Sequence, residues 1–503
     1  MSAPKRRTQA FDKDALDRTV ITRPLLDELE KRSRQRRPRL LAVIIDVNLE
    51  YPAGRDEARA YVVAQLNEIL SAQGRTDAER VEGHGQYVFA RLSPETLLTL
   101  TQRDAQQHGS RARAIFRIWP DFEVHAFIHK SVRTVKADAA RISFSASGDD
   151  IVWAVLDSGI DAEHPHFALH RNLELDGPLE HRDYTGRGTA LSDEMGHGTH
   201  VAGILAGEII PTETNAVLET LNRPLLPLVD GHLMVHLKRR DERGDVQFDA
   251  IPLDRIAGVA PRTKLLSLRV LDHQGKGHVS HIIRALADIQ EINGYGRRLR
   301  VHGVNLSVGY PFDAEWFACG QSPLCVEINQ LVRSGVVVVV AAGNTGYGSL
   351  QTASGMVQGA LDLSINDPGN ADLAITVGAT HRDMPHVYGV SYFSSKGPTG
   401  DGRLKPDLVA PGERILSCAA GAAATEAAAQ AGHPCQYLED SGTSMAAPHV
   451  SGAIAAFLSV RREFIGQPDW VKRTFLETAT DLGRDRHFQG RGLVDLMRAI
   501  QSV

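Results

Sequence analysis

Five short apolar segments recur along this 503-residue chain, and they limit its fold more than any other feature. The first begins at Ile151, and in chain order they read IVWAVLD, KLLSLRV, VNLSVG, VVVVVAAGN and AITVGAT. Helical patterns lie between several of them. Strands that are apolar on both faces are typical of a parallel sheet covered by helices on each side. We therefore predict a doubly wound α/β fold with a mostly parallel sheet, whose functional residues lie at the carboxyl ends of the strands.

A smaller pattern precedes that unit. Strand patterns RLLAVIIDVN, ERVEG, QYVFARL and RAIFRIWP alternate with two helical patterns, DEARAYVVAQLNEILSAQG and SPETLLTLTQRDA, and EVHAF returns to a strand. The order β-α-β-β-α-β is that of a small α+β, ferredoxin-like sheet with two helices on one face. We accordingly divide the chain into a basic segment (1–38), this small domain (39–127) and the large α/β domain (128–503).

The large domain carries a long insertion, at about residues 207–257. Its second half, LMVHLKRRDERGDVQFDAI, contains two alternating runs around a glycine-containing turn, which predict a hairpin. We expect this hairpin on the surface, with its charged side chains facing solvent.

Charge and composition exclude several classes of protein. The net charge of −5 gives no reason to expect a nucleic acid or an anionic membrane as partner. No apolar stretch looks long enough to span a bilayer, and the basic N-terminus lacks the apolar block of a secretory signal, so we expect a cytoplasmic protein. The four cysteines are too few for a dense disulfide framework and are not spaced like a zinc ribbon.

Three polar residues stand at the ends of predicted elements. Asp157 ends the first apolar strand, His197 begins a glycine- and alanine-rich helix, and Ser444 begins an apolar helix. Taken singly, each has another interpretation. Asp157 could be a turn cap, and Ser444 could be an N-cap serine. His197 could be a metal ligand together with His200. Taken together, they supply a hydroxyl, a base to accept its proton and a carboxylate to orient the base, as nucleophilic acyl transfer requires.

Four sequence blocks link this combination of residues to a known protein family. VLDSGID, GHGTHVAG, AAGN and GTSMAAPHVSG, in this order, resemble the signature blocks of the subtilisin-like serine proteases, the subtilases. The resemblance implies that Ser444 is the nucleophile, His197 the general base and then acid, and Asp157 the residue that orients it. It also implies that Asn344 and the backbone N–H of Ser444 donate to the oxyanion.

The same resemblance implies the substrate class. The stretch LSVGY resembles the segment that pairs with the substrate backbone and forms a wall of the P1 pocket, so we expect substrate contacts at Leu306, Ser307, Val308 and Gly309. Extended pairing reads the main chain more than side chains, which implies protein or peptide substrates. A serine endopeptidase is therefore the expected activity.

The small N-terminal domain resembles the inhibitory propeptide of this family. RAIFRIWPDFEVHAF is similar to its last strand and exit, and Phe127 lies about where the processing junction would be. A self-inhibited precursor, with its own N-terminal domain as intramolecular inhibitor, is the expected form. Two alternatives remain open: a latent protease with a permanent regulatory domain, and a non-catalytic binding protein with the same fold, although all four chemical residues are intact.

One departure concerns calcium. The family's tight calcium site uses an acidic residue in the loop after the Asp157 block, whereas DAEHPHF has His166 at that place, and the long insertion replaces the rest of the site. We therefore expect no cofactor and no calcium at the usual tight site, which leaves calcium binding elsewhere open.

Overall fold

The computed structural model describes residues 20–22, 25, 26, 29, 40–72, 81–108, 113–120, 130–186, 188–240, 246–312, 318–352 and 355–503. The chain divides into two compact units, Met1–Ala126 and Phe127–Val503. Each unit has its own apolar core. Most of the basic segment 1–38, the EVHAF pattern and Phe127 lie outside the described residues.

Within its described residues, the first unit contains a four-stranded antiparallel sheet and two long helices. Its strands are β1 Leu41–Val47, β2 Glu82–His84, β3 Tyr87–Leu92 and β4 Ile115–Pro120, and its helices are α1 Arg55–Ala72 and α2 Pro94–His108. The sheet order is β2-β3-β1-β4, the order of a ferredoxin-like fold. Alternate residues of β1 are buried, because only one face of the strand meets the core. The prediction of a small α+β unit is confirmed.

The second unit contains the remaining elements. Its strands are β5 Val152–Asp157, β6 Arg182–Asp183, β7 Glu208–Ile209, β8 Leu228–Val229, β9 His232–Arg240, β10 Val246–Leu253, β11 Ile256–Ala257, β12 Lys264–Arg269, β13 Gly303–Leu306, β14 Val337–Ala341, β15 Tyr347–Thr352, β16 Gly355–Ala360, β17 Ile375–His381, β18 Leu408–Glu413, β19 Ile415–Cys418 and β20 Tyr437–Asp440. Its α-helices are α3 Lys130–Thr134, α4 Ala137–Phe144, α5 His197–Leu205, α6 Pro211–Thr220, α7 Val279–Ile292, α8 Pro323–Arg333, α9 Pro385–Tyr388, α10 Gly421–Ala431, α11 Thr443–Val460, α12 Pro468–Thr478, α13 Arg486–Gln489 and α14 Leu496–Gln501.

A seven-stranded parallel sheet in the order β18-β17-β14-β13-β5-β12-β6 forms the centre of this unit. Both faces are covered: Val337 and Val339 of β14 pack in the core that contains α5 and α11, and Val338 and Val340 pack with α7 and α8. This explains the continuous apolar strands and confirms the doubly wound fold. The strand order reverses at β5, so Asp157 ends the strand at the switch point.

The insertion differs from its prediction. Its hairpin, β9 and β10, is present, but β9 is an inner strand of a sheet in the order β10-β9-β20-β19, and His236 pairs with Leu438 of β20. Lys238 Nζ lies 2.8 Å from an Asp440 carboxylate oxygen, and its backbone N–H donates to Glu439. The hairpin therefore packs along β20, the strand that leads into α11. At least one of its charged side chains, Lys238, pairs with this strand instead of facing only solvent.

Helix α11 also corrects an expectation. By length and composition this 18-residue helix could cross a membrane, although 83% of it is buried inside the unit. Its alanines and Gly452 let it pack closely against the sheet and α5, as the core helix of the unit.

Candidate active site

Asp157 and His197 form a hydrogen-bonded pair at the carboxyl edge of the parallel sheet. Asp157 is the last residue of β5 and is 1% exposed, and its Oδ1 accepts from His197 Nδ1 at 2.7 Å and from the Ser158 backbone N–H at 2.8 Å. His197 is the first residue of α5. The next residue, Gly198, permits this approach, because a Cβ there would lie 2.2 Å from the Gly159 carbonyl oxygen. The geometry holds the imidazole with its Nδ1–H towards a carboxylate.

A second buried carboxylate supports the start of this helix. Asp193 Oδ1 accepts from the Ser158 hydroxyl and the Gly196 backbone N–H, and Oδ2 accepts from the backbone N–H and hydroxyl of Thr199, all at 2.8 Å. Burial raises the pKa of Asp193, although these four hydrogen bonds oppose that rise. The loop before His197 is thus fixed to the loop after Asp157. Sequence reasoning missed Asp193, which looks like any other loop aspartate.

The charges around His197 favour its protonated form. Burial lowers its pKa, but the charge and hydrogen bond of Asp157, with further contributions from Asp193 and Asp440, outweigh burial and raise the pKa to about 9. This environment stabilises the imidazolium that His197 would become if it accepted a proton as a general base.

Ser444 lies in the first turn of α11, held against the segment that follows β13. Its Oγ donates to the Ser307 carbonyl oxygen at 3.0 Å, and Ser307 Oγ donates to the Ser444 carbonyl oxygen at 2.8 Å. Asn305 Nδ2 donates to Ser307 Oγ, and Ser451 Oγ donates to Asn305 Oδ1. Buried side chains therefore fix the nucleophile candidate to the sheet edge.

Asn344 is oriented by the residue before the candidate nucleophile. Its Oδ1 accepts from the backbone N–H of Thr443 at 2.9 Å and from the Thr443 hydroxyl at 3.0 Å. Its side-chain Nδ2 then lies beside Gly442, where a Cβ would be 3.4 Å from it. Asn344 is exposed, so the amide donor is directed to the surface at the start of α11.

The four predicted substrate contacts occupy different environments. The side chain of Leu306 is fully buried in the core, and its backbone is already paired within the parallel sheet. Ser307 is buried and bonded to Ser444, Val308 is partly buried, and Gly309 is exposed. Of the four, Gly309 offers the most open backbone.

Comparison with known proteins identifies the family. The subtilase family model matches residues 148–492, more than half of the chain. The chain belongs to the subtilase family. This subtilase is 29% identical over 344 residues to pyrolysin of Pyrococcus furiosus. The matched region covers 61% of the chain and only 21% of pyrolysin. The subtilase is 26% identical over 401 residues to serine protease AprX of Bacillus subtilis, covering 78% of the chain and 75% of AprX.

A third relative of this subtilase is the major intracellular serine protease of Bacillus subtilis, 30% identical over 317 residues, covering 63% of the chain and 70% of the relative. The predicted family and fold class are confirmed. The family and these relatives together identify the chain as a subtilisin-like serine endopeptidase.

The histidine at the place of the family's calcium ligand has other partners in this subtilase. His166 is fully buried, with Nδ1 3.0 Å from the Tyr437 hydroxyl and Nε2 3.1 Å from the Ala206 carbonyl oxygen. Calcium prefers several oxygen ligands, and an imidazole whose two nitrogens are engaged in this way does not fit it. Within the described residues, no group of three or more His, Cys, Asp or Glu side chains could hold a metal.

His200, the other histidine of the metal interpretation, bonds to the backbone of β20. Its Nε2 lies 3.1 Å from the Leu438 carbonyl oxygen, and burial lowers its pKa to about 4. Because the Nε2 of His200 is engaged with a backbone carbonyl, and no ligand group is found within the described residues, the metal interpretation of the pair is disfavoured.

Proposed function

We propose that Asp157, His197 and Ser444 form the catalytic triad of this endopeptidase. The observation that carries the proposal is the 2.7 Å bond from His197 to the buried Asp157, at the sheet edge where Ser444 lies in the first turn of α11. His197 accepts the Ser444 proton as the hydroxyl oxygen attacks the substrate carbonyl, and Asp157 stabilises the imidazolium. For this transfer, the Ser444 hydroxyl must turn from the Ser307 carbonyl towards His197.

Asn344 Nδ2 and the Ser444 backbone N–H then donate to the oxyanion of the tetrahedral intermediate. His197 returns its proton to the leaving amine, which leaves an acyl-enzyme that water hydrolyses by the same steps. The contacts of Asn344 Oδ1 with Thr443 support this role, because an amide already fixed in place needs no reorganisation when charge develops.

The substrate is an extended protein or peptide segment in this proposal. Its backbone would pair with the segment from Ser307 to Gly309, which follows β13 directly beside Ser444. The exposure of Gly309 supports this location, since the segment is open to solvent at that residue.

The first unit acts in this proposal as the intramolecular inhibitor of a precursor. Its antiparallel sheet order supports a propeptide-like domain, and cleavage near Phe127 would release it. The relative named major intracellular serine protease supports a cytoplasmic enzyme.

One experiment separates the alternatives. Purified full-length protein and its Ser444→Ala variant are incubated with a denatured protein mixture, and the intact masses and N-termini of both chains are measured. A shortened chain with peptidase activity, absent in Ser444→Ala, supports a processed protease. An intact chain that cleaves the mixture indicates a permanent N-terminal domain. An intact chain that remains inactive after every stimulus contradicts the catalytic proposal.

A further inference from the structure

The loop that carries Asn344 is fixed by a second segment, residues 393–396. The backbone N–H of Ser395 donates to the Gly343 carbonyl oxygen at 2.9 Å, and the Thr345 N–H donates to Ser395 Oγ at 3.1 Å. The Gly346 N–H donates to the Phe393 carbonyl oxygen at 3.0 Å. Both residues that flank Asn344 are thus bonded to this segment.

The two segments lie so close that only glycine fits at position 346. A Cβ at Gly346 would lie 1.9 Å from the Ser394 carbonyl oxygen and 2.9 Å from Lys396 Nζ. So close an approach restricts the conformations available to the loop 343–346. The position of Asn344 therefore depends on the residues packed behind it.

Lys396 is the charged residue of this support. Its side chain is buried, and Nζ donates to the Gly346 carbonyl oxygen at 2.6 Å and to the Tyr392 carbonyl oxygen at 3.1 Å. Nζ also lies 5.2 Å from the centre of the Phe488 ring. No carboxylate of the described residues lies within 4.0 Å of this ammonium group.

Burial of an ammonium group without a carboxylate partner is costly. Burial lowers the pKa of Lys396, and the charge of Asp362 opposes that shift only in part. An apolar residue could fill this volume without that cost. The observed contact instead places a strong donor on the carbonyl of Gly346, two residues beyond Asn344.

We propose that Lys396 is a positioning residue that holds the loop 343–346, and with it the Asn344 amide, in the geometry that the oxyanion requires. Lys396 does not touch the substrate and acts through Asn344. The inference rests on the proposed oxyanion role of Asn344. A donor is effective only when it is held close to its productive position, so loss of the Lys396 contact slows the chemical step more than it weakens substrate binding.

A double-mutant cycle tests this inference. The kcat and KM of a chromogenic peptide are measured for the active enzyme and for Lys396→Met, Asn344→Ala and the double variant. We expect Lys396→Met to lower kcat about ten-fold with little change in KM. In the Asn344→Ala background, the same substitution should change kcat by less than about two-fold, because the donor it positions is gone.

Lys405 provides the matched control. It is an equally buried lysine of the same unit, but its Nζ bonds to the Ala374 carbonyl, the Thr376 hydroxyl and Asp407, and not to the loop 343–346. Lys405→Met should lower the unfolding temperature and leave the kcat of the folded fraction, measured by active-site titration, within about two-fold. An equal loss of kcat in both lysine variants would show a general effect of destabilisation and overturn the inference.

The outcomes distinguish this inference from the proposed function. If Asn344→Ala leaves kcat unchanged, the oxyanion role itself fails. If Asn344→Ala lowers kcat but the Lys396→Met loss is fully additive to it, the oxyanion role stands and the positioning role of Lys396 is wrong. Should Lys396→Met not fold, Ser395→Ala replaces it in the cycle, because Ser395 Oγ accepts from the Thr345 N–H of the same loop, and the same non-additivity is expected.

Discussion

Replacing Asp157 by Asn tests the electrostatics of the site in the most quantitative way. The pKa of His197 is raised from 6.5 to about 9, although burial opposes the shift. This difference corresponds to about 3 kcal/mol in favour of the imidazolium. Because the imidazolium forms as the serine attacks, loss of this stabilisation should lower kcat by at least about 10²-fold. The loss could reach about 10⁴-fold if the new amide holds the wrong tautomer.

The pH dependence gives a second, independent readout of the same substitution. Neutral His197 is the active base, so the kcat/KM of the parent should rise with pH and reach half its maximum near pH 9. In Asp157→Asn the main charge that raises the pKa is gone while burial remains, so the midpoint should fall well below 9. The ratio of parent to variant activity therefore increases as the pH rises through 9.

The assay is the hydrolysis of a chromogenic peptide between pH 5 and 10.5. Asp254→Asn is the matched control, because Asp254 also lies 2.7 Å from a histidine nitrogen, that of His232, but this pair is about half exposed and belongs to the insertion. The control should keep the parent profile. An Asp157→Asn variant with the parent midpoint, or with kcat within a few-fold of the parent, would refute the reasoning.

Three further outcomes follow from the site. Asn344→Leu should lower kcat by about 10²- to 10³-fold with little change in KM, the magnitude known for loss of subtilisin's own oxyanion-hole asparagine. Steady-state kinetics measures this change, and an unchanged kcat would place the oxyanion elsewhere. The raised pKa of His197 stabilises the folded state fully below pH 6.5, and this contribution is lost as the pH rises through about 9. In urea unfolding, the difference in unfolding free energy between the parent and His197→Ala should therefore shrink over that window. A difference that stays constant would contradict the pKa shift. Chelation of calcium should leave the unfolding temperature unchanged, because His166 is bonded to Tyr437 and Ala206; a marked drop on chelation would reveal a calcium site.

The parts of the fold that depend on local pattern could be predicted from the sequence. The β14 run is apolar at every position because both of its faces are buried, and β3 alternates because only one of its faces is buried. Asp157, His197 and Ser444 are predicted from their places at strand and helix ends together with the four sequence blocks, and their catalytic roles stay a prediction.

Features that depend on distant partners could not be predicted. The alternation of β9 indicates an exposed hairpin, and only its pairing with Leu438, about two hundred residues later in the chain, makes it an inner strand. Asp193 and Lys396 stand in polar loops like many others, and their roles follow from donors and carbonyls that the fold brings to them. The side chain of Leu306 lies in the core because β13 extends through it, and a contact of this residue with substrate stays a prediction.

The central claim is that Ser444 is a nucleophile activated by His197. The most direct measurement is labelling of the active protein with a fluorophosphonate, a reagent that reacts covalently with activated serine hydroxyls, followed by peptide mass spectrometry. The account predicts one modified serine, Ser444, with labelling lost in His197→Ala although that variant remains folded. Label on another serine, or equal labelling of Ser444 in His197→Ala, would contradict it.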